Sequence, residues 1–176
     1  MNFPGLGIGM DFGLNPQPLQ KRTKERFRDK PFGIMLQGFG NQRTAAAEGV
    51  WPEEKRLVIG TNVGFIKRVS RLNGIGVGAE LYYDGINAVY QQRTGQALQT
   101  TVGAVSIQHY LFLGKLLFGQ QMAWYVTPNT GSQQKIFERY FIEYEVKKNW
   151  YAGFTLKATG DQSDYMGFSA GYFLRI

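Results

Sequence analysis

The sequence of 176 residues contains no cysteine and only one histidine. The lack of cysteine excludes a disulfide framework, a thiolate nucleophile and a cysteine-based metal site. We therefore predict no metal, and no motif calls for a cofactor. Any histidine-based catalysis within this chain would have to use His109.

Long hydrophobic runs are also missing, although 43% of the residues are hydrophobic. A membrane-spanning helix needs roughly 20 consecutive apolar residues, so a helical membrane protein is excluded. The net charge of +7 comes with basic clusters at 21–30 and 55–71, and neither cluster carries a nucleic-acid-binding motif. The excess of basic over acidic residues therefore predicts contact with the phosphates of lipid headgroups. We predict no nucleic-acid partner.

The N-terminus, MNFPGLGIGM, lacks the basic start, the apolar core and the small-residue cleavage site of a signal peptide. An exported protein needs such a signal. We therefore expect either numbering from a processed product or further residues upstream of Met1.

Glycine and aromatic residues are abundant, with 23 Gly, 13 Phe and 10 Tyr, which is typical of all-β architecture. Segment 73–84, NGIGVGAELYYD, alternates with a period of two. One face is apolar or aromatic: Ile75, Val77, Ala79, Leu81 and Tyr83. The other face is small or polar: Gly76, Gly78, Glu80, Tyr82 and Asp84. Side chains alternate across a strand, so these are two opposite surfaces.

The same alternation recurs in segments 57–66, 102–112, 136–146, 152–157 and 166–176. The second face carries glycine with scattered polar residues such as Asn62, Ser106 and Gln108. Apolar-out and polar-in segments of about 10 residues indicate an antiparallel transmembrane β-barrel. Four charged residues fall on the predicted inner face, where we expect a salt-bridged interior: Glu80, Arg139, Glu143 and Lys157.

The predicted connections alternate between short and long. They are long near 157–164, 127–134, 84–99 and 41–54, and short at 147–149, 113–115 and 68–73. Short periplasmic turns and longer outer loops are the rule in outer-membrane barrels. The pattern predicts about eight strands from Phe32 onward and a periplasmic C-terminus. Side chains fill an eight-stranded barrel, which disfavours a solute channel.

Residues 1–30 do not fit this scheme. Segment 4–14 alternates like a ninth strand, whereas single-chain bacterial barrels have even strand numbers. We therefore divide the chain into 1–30, an extension or extra strand with a basic segment, and the barrel 31–176. Absent upstream strands would raise the count to ten or more.

His109 shares the outward face of Ile107 and Leu111, near a predicted periplasmic turn, so we predict an interfacial histidine. Ser106 lies on the opposite face, which makes a Ser106–His109 catalytic pair sterically poor. Trp124 and Trp150, with Trp51, are predicted to belong to aromatic girdles at the membrane boundary.

A pattern of turns and aromatic residues resembles the C-terminal part of Bacteroidetes-type outer-membrane acyloxyacyl hydrolases, or lipid A 3-O-deacylase-like barrels. The similar segments are GVGAELYYDG (76–85), VSIQHYLFLGKLLFGQQMAWYV (105–126), FERYFIEYEVKKNWYAGFTLKA (137–158) and DYMGFSAGYFLRI (164–176). The resemblance implies ester hydrolysis on lipid A by a His-x-Ser pair with an acidic or amide third member. No His-x-Ser occurs here. In longer relatives the pair precedes a segment resembling the first residues of this chain, which makes Asn2 a weak candidate for the third member.

The leading hypothesis is an outer-membrane β-barrel that contacts lipopolysaccharide, non-catalytic as it stands, and structural or accessory to a complex with other outer-membrane proteins. The alternative is a lipid A ester hydrolase whose His-x-Ser lies upstream of Met1.

Overall fold

A computed structural model describes residues 31–132, 134–160 and 162–176. These residues form eight strands and one helix. The elements are β1 (Phe32–Ala45), β2 (Glu54–Arg68), β3 (Asn73–Asp84), α1 (Gly85–Thr94), β4 (Thr101–Leu113), β5 (Leu116–Tyr125), β6 (Ile136–Lys147), β7 (Trp150–Thr159) and β8 (Gln162–Arg175). The prediction of an eight-stranded antiparallel β-barrel is confirmed.

Each strand pairs antiparallel with its neighbour in sequence, and β1 closes the barrel by pairing with β8. At the closure Gly38 stands opposite Thr61 of β2 and Ala170 of β8. Closure pairs each of the eight described strands on both sides, which removes the usual template for aggregation.

The period-two pattern explains which side chains face outward. Apolar side chains such as Val77, Ile107 and Phe168 point away from the barrel and are 59%, 52% and 71% exposed. Their neighbours in sequence, Gly78, Gln108 and Ser169, have the opposite orientation because alternate residues face opposite sides of a strand. An apolar outer wall of this extent is unusual for a protein in water.

The two ends of the barrel differ in their connections. At one end, the short-turn end, strands are joined by 69–72, 114–115 and 148–149. At the other, the loop end, the connections are 46–53, 85–100, 126–135 and 160–161. The expectation of a long loop near 157–164 is wrong, because Thr159 of β7 already pairs with Gln162 of β8. The polar residues 157–164 (KATGDQSD) suggested a loop, but most of them belong to β7 and β8 and continue the pairing between these two strands.

Two short turns use residues that tolerate positive φ. Gly114 has φ 74° and Asn149 has φ 66°. Two-residue hairpins need such angles to match the twist of the strands they join. These turns fix the register of β4 with β5 and of β6 with β7.

The helix α1 in connection 85–100 was not predicted from the sequence. The Asp84 carboxylate accepts a hydrogen bond from the Ile86 backbone N–H at 3.1 Å, and Gly95 ends the helix with φ 70°. Asp before and Gly after a helix are standard capping signals, so they could have revealed it. Ile86 and Val89 of α1 pack against Ala45 at the end of β1.

The barrel interior contains more aromatic side chains than the sequence pattern suggested. One buried apolar cluster fills the short-turn end: Met35, Ile66, Tyr110, Phe112, Leu117, Tyr151 and Phe173. A second lies toward the loop end: Phe39, Val58, Tyr82, Val102 and Tyr165. Small residues were expected on the inner face, but they cover only part of it, because large side chains must fill the space inside eight strands.

The inward glycines make room for these large side chains. An added Cβ at Gly64 or Gly78 would lie 2.1 or 2.2 Å from the Gln108 side-chain amide. At Gly60 it would lie 2.3 Å from Cβ of Tyr82. Small residues on one strand therefore accommodate large residues on the next.

Within the described ranges, no helix is both long and apolar enough to cross a membrane. The expected ninth strand at 4–14 and the basic segment 21–30 lie outside the described residues.

Candidate functional site

The middle of the barrel holds a buried ion pair between β3 and β6. Arg139 Nη2 and Nε donate to the two carboxylate oxygens of Glu80 at 2.7 and 2.9 Å. Both side chains have 0% exposure. A two-pronged guanidinium–carboxylate contact is the strongest geometry available to this pair of groups. The sequence predicted both residues on the inner face, and the structure brings them together.

Further groups surround this pair. Gln121 Nε2 donates to Glu80 at 2.8 Å, and Arg139 Nη2 donates to the Tyr165 hydroxyl at 3.0 Å. The Arg139 guanidinium also lies 4.0 Å from the centre of the Phe39 ring. The buried charges are thus compensated by hydrogen bonds and by an aromatic face, as a low-dielectric interior requires.

A chain of amide side chains links this pair to Glu143. The Gln37 amide donates to Glu143 Oε2 at 3.1 Å and accepts from the Asn62 amide at 2.9 Å. Gln108 Nε2 lies 3.0 Å from Asn62 Oδ1 and 3.4 Å from Gln121 Oε1. Asn62 and Gln108 were predicted on the inner face, but the sequence did not indicate that amide side chains would connect the Glu80–Arg139 pair to Glu143.

Lys157 and Glu143 do not join the Glu80–Arg139 pair. Lys157 Nζ contacts Asp164 at 2.5 Å, toward the loop end. Glu143 has 0% exposure, and no cation lies within ion-pair distance of it among the described residues. Glu80 and Arg139 therefore pair with each other, and Lys157 pairs with Asp164, which was not predicted as a partner. In the described part of the chain, the Glu143 carboxyl group has only neutral partners, Gln37 and Ser169.

This difference predicts opposite effects for the same substitution at two sites. We expect Glu143→Gln to leave the free energy of unfolding unchanged or to raise it. The substitution removes a buried carboxyl group that has no counter-charge, and glutamine has nearly the same volume as glutamate. Glu80→Gln should lower it by roughly 3 kcal/mol, since Arg139 would remain buried without a counter-charge. Urea unfolding of both variants in detergent micelles, followed by tryptophan fluorescence, measures the difference. Equal losses would contradict this assignment.

The outer wall carries a separate cluster of polar side chains on adjacent strands. His109 Nε2 lies 3.0 Å from Asn73 Oδ1, and His109 Nδ1 lies 3.3 Å from Gln120 Oε1. Tyr140, opposite Gln120 in the β5–β6 register, donates a hydrogen bond to Glu138. His109 therefore faces outward, toward the short-turn end of β4. Ser106 is buried on the other face, where it contacts Gln108 at 3.0 Å.

These polar groups border a shallow groove, the outer-wall groove, with a volume of about 740 Å³. Its lining is mainly apolar: Phe32, Phe65, Ile75, Val77, Ile107 and Met122. Lys67 of β2 and Glu138 of β6 also line the groove. A groove with an apolar floor and a few fixed polar groups suits an amphiphilic ligand.

The predicted interfacial tryptophans lie at opposite ends of the barrel. Trp124 is near the loop-end limit of β5, and Trp150 begins β7 next to the short turn at 148–149. Trp150 is 52% exposed and its ring lies 5.0 Å from that of Tyr172. Trp51 lies in connection 46–53, where it pairs with Glu48. Asn2 lies outside the described residues, so its predicted role stays a prediction.

Among the residues that the structure describes, no three His, Asp or Glu side chains lie close enough together to hold a metal ion. Around His109 the hydrogen-bond partners are amides, and Leu111 stands where a His-x-Ser motif would have its serine. The arrangement supplies hydrogen bonds, and it offers His109 no hydroxyl nucleophile within the described network.

The class of this protein is a closed antiparallel eight-stranded β-barrel, with an apolar outer wall and with polar and aromatic side chains inside. A family model for the C-terminal domain of acyloxyacyl hydrolases matches residues 32–175. The chain belongs to this family, as its sequence suggested; the Bacteroidetes origin stays a prediction. Neither the curated proteins nor the solved structures contain a significant match.

Proposed function

We propose that the chain is an outer-membrane barrel that contacts lipid A of lipopolysaccharide through its outer wall. The apolar wall is the observation that carries this proposal. Outward apolar side chains occur on all eight strands, among them Leu36, Ile59, Val77, Ile107, Met122, Ile142, Phe154 and Phe168. The strands have 10 to 15 residues, and a tilted strand needs roughly 9–11 to cross a bilayer.

The connections support an orientation with the loop end outside the cell. Outer-membrane barrels have short periplasmic turns and longer outer loops. Connections 69–72, 114–115 and 148–149 would then be periplasmic, together with the C-terminus at Ile176. The loop end, with α1, would face the cell exterior.

The outer-wall groove supports contact with lipid A. Its apolar floor suits acyl chains. His109, Gln120 and Tyr140 lie in the middle part of β4, β5 and β6, so the polar groups that they can bind are those carried on the acyl chains. In a membrane interior, polar side chains on the lipid-facing wall are costly and commonly functional. Membership of the acyloxyacyl hydrolase family adds independent support for a lipid A ligand.

The proposal is tested by the binding preference of the groove. We expect the refolded protein to bind lipid A at least about tenfold more tightly than phosphatidylethanolamine, and His109→Leu/Gln120→Leu to abolish this preference because it removes the polar contacts. Native mass spectrometry from detergent micelles measures bound lipid directly. Thr61→Leu is the matched control, since it also replaces an outward polar residue, outside the groove. Equal loss in both variants, or no preference in the wild type, would refute the groove as a lipid A site.

We infer that this barrel binds lipid A without hydrolysing it, because the hydrogen-bond partners of His109 among the described residues are amides and not a hydroxyl group. The family makes ester hydrolysis the second candidate. Incubation with lipid A and mass spectrometry distinguishes the two: loss of one acyl chain would favour hydrolysis. An accessory role with other outer-membrane proteins predicts their co-purification from the native membrane in mild detergent.

A further inference from the structure

The loop end of the barrel contains a polar cavity, the loop-end cup, which the proposed lipid contact does not use. Its volume is about 530 Å³, which is within the range of small-molecule sites. Tyr82, Tyr125 and Lys157 line its inner part. Its wall is formed by α1 and by the connections that follow α1 and β5. The cup is inside the barrel mouth, on a different surface from the outer-wall groove.

Hydrogen bonds hold the wall of the cup in place. Asn87 Nδ2 donates to the carbonyl oxygens of Gln99 and Thr130 at 2.7 and 3.0 Å, which ties α1 to the β5–β6 connection. Arg93 donates to the carbonyl oxygens of Ala46 and Pro52 at 2.6 and 2.7 Å, which ties α1 to the β1–β2 connection. A wall fixed in this way loses little conformational entropy when a ligand binds.

The charged groups in the cup are paired with each other. Arg43 Nη1 contacts Asp84 at 2.7 Å, and Lys157 contacts Asp164 at 2.5 Å. Four aromatic rings also lie within 6 Å of the Lys157 ammonium group. A charged ligand would have to break one of these partly buried pairs, and leaving a buried charge without its partner is costly. The described lining therefore favours a ligand without net charge.

The other polar groups in the cup are hydroxyls and amides. The side chains of Tyr90, Gln96 and Gln162 make no hydrogen bond within the described residues, so their donors and acceptors are available to a ligand. An apolar ligand would cover these groups without satisfying them. A ligand rich in hydroxyl groups can both donate to and accept from them, while its C–H surface packs on the tyrosine rings.

We propose that the loop-end cup binds a neutral saccharide. The volume, the paired charges, the free amide and hydroxyl groups and the aromatic rings all fit an oligosaccharide of a few sugar units. This inference goes beyond the lipid contact proposed above, and only the source of the sugar rests on that proposal. With the loop end outside, the sugar comes either from the oligosaccharide of lipopolysaccharide or from a soluble oligosaccharide.

The experiment uses the refolded chain in a zwitterionic detergent, because glucoside and maltoside detergents would compete. The probes are neutral trisaccharides of glucose, galactose, mannose or N-acetylglucosamine, the oligosaccharide released from lipopolysaccharide by mild acid, and a sialylated trisaccharide as the charged comparison. Saturation-transfer NMR and tyrosine fluorescence report binding. We expect a dissociation constant of roughly 0.1–10 mM for at least one neutral probe.

The variants Tyr90→Ala and Gln96→Ala should each weaken this binding at least about tenfold. Both residues are exposed at the rim, so these variants should fold. The control Gln42→Ala changes an exposed amide of β1 that lines neither the cup nor the outer-wall groove, and it should leave saccharide binding unchanged. Binding of the released oligosaccharide alone would assign the sugar to lipopolysaccharide, and binding of a simple trisaccharide would assign it to a soluble source.

Three results would overturn the proposal: neither the neutral trisaccharides nor the released oligosaccharide binds at about 20 mM, the sialylated trisaccharide binds as well as the neutral ones, or the rim variants bind like the wild type. Lipid A binding by the outer-wall groove is measured on the same samples by native mass spectrometry. A failure of saccharide binding by the cup can therefore be distinguished from a failure of lipid A binding by the groove.

Discussion

Replacing Arg139 with methionine is expected to lower the free energy of unfolding by about 3–5 kcal/mol. The substitution leaves the Glu80 carboxylate at 0% exposure without its counter-charge, and it removes the two hydrogen bonds of 2.7 and 2.9 Å. It also leaves the Tyr165 hydroxyl without its guanidinium partner. The decrease in the free energy of unfolding therefore comes mainly from leaving the Glu80 carboxylate buried without a counter-charge, and less from the intrinsic strength of the ion pair. Urea unfolding in detergent micelles measures it.

The double variant Glu80→Leu/Arg139→Met tests this explanation. Replacing both members of a buried ion pair with apolar residues of similar size is often neutral or stabilising, so the double variant should recover most of the loss. The shift in gel mobility between folded and heated samples reports whether the barrel has formed. A double variant less stable than Arg139→Met would mean that the surrounding amide network, and not the unpaired charge, dominates the energy.

Replacing Gly153 with alanine is expected to destabilise the barrel by about 3 kcal/mol, at the upper end of the usual cost of overpacking. A Cβ at this position would lie 2.0 Å from the Ile142 carbonyl oxygen and 2.7 Å from Cα of Glu143. Both are backbone atoms of β6. Rotation of a side chain cannot relieve the overlap, so β6 and β7 would have to move apart.

The same substitution at Gly38 is the matched control. The nearest atoms to a Cβ there are carbonyl oxygens of Ala170 and Gly60, both at 4.0 Å, which is ordinary van der Waals contact. Gly38→Ala should leave the unfolding midpoint unchanged or raise it slightly, because alanine restricts the unfolded chain more than glycine does. Equal destabilisation at both sites would show that the strands need glycine for flexibility and not for close approach.

The alternation of apolar and small or polar residues predicted most of the barrel correctly. Segment 73–84 coincides with β3 (Asn73–Asp84), and the predicted start at Phe32 is the start of β1. Such local patterns are reliable because every second side chain must face the same side of a strand. Connection 160–161 was predicted less well, because polar residues in 157–164 extend strands beyond the apolar wall and so resemble a loop.

The candidate site was predicted in part. Alternation placed Glu80, Arg139, Glu143 and Lys157 on one face, and all four are buried. It could not assign partners, because β3 and β6 are not neighbours in the sheet and Glu80 meets Arg139 only across the lumen. Gln37 of β1 was missed as the partner of Glu143 for the same reason. Asp164 was missed because 157–164 was expected to be a loop, although β7 and β8 are neighbours. The loop-end cup was not predicted either, since it depends on where α1 and the connections that follow α1 and β5 meet.

The sequence by itself determined the strands, their two faces and the class of barrel, because these follow from a period of two along each segment. It also determined that His109 faces outward and that no serine follows it at the second position. Only the tertiary structure decided which buried charges are paired, which inward glycines touch a neighbouring backbone, and where cavities remain. Those properties depend on side chains from strands far apart in sequence, and closure of the barrel is what brings them within contact distance.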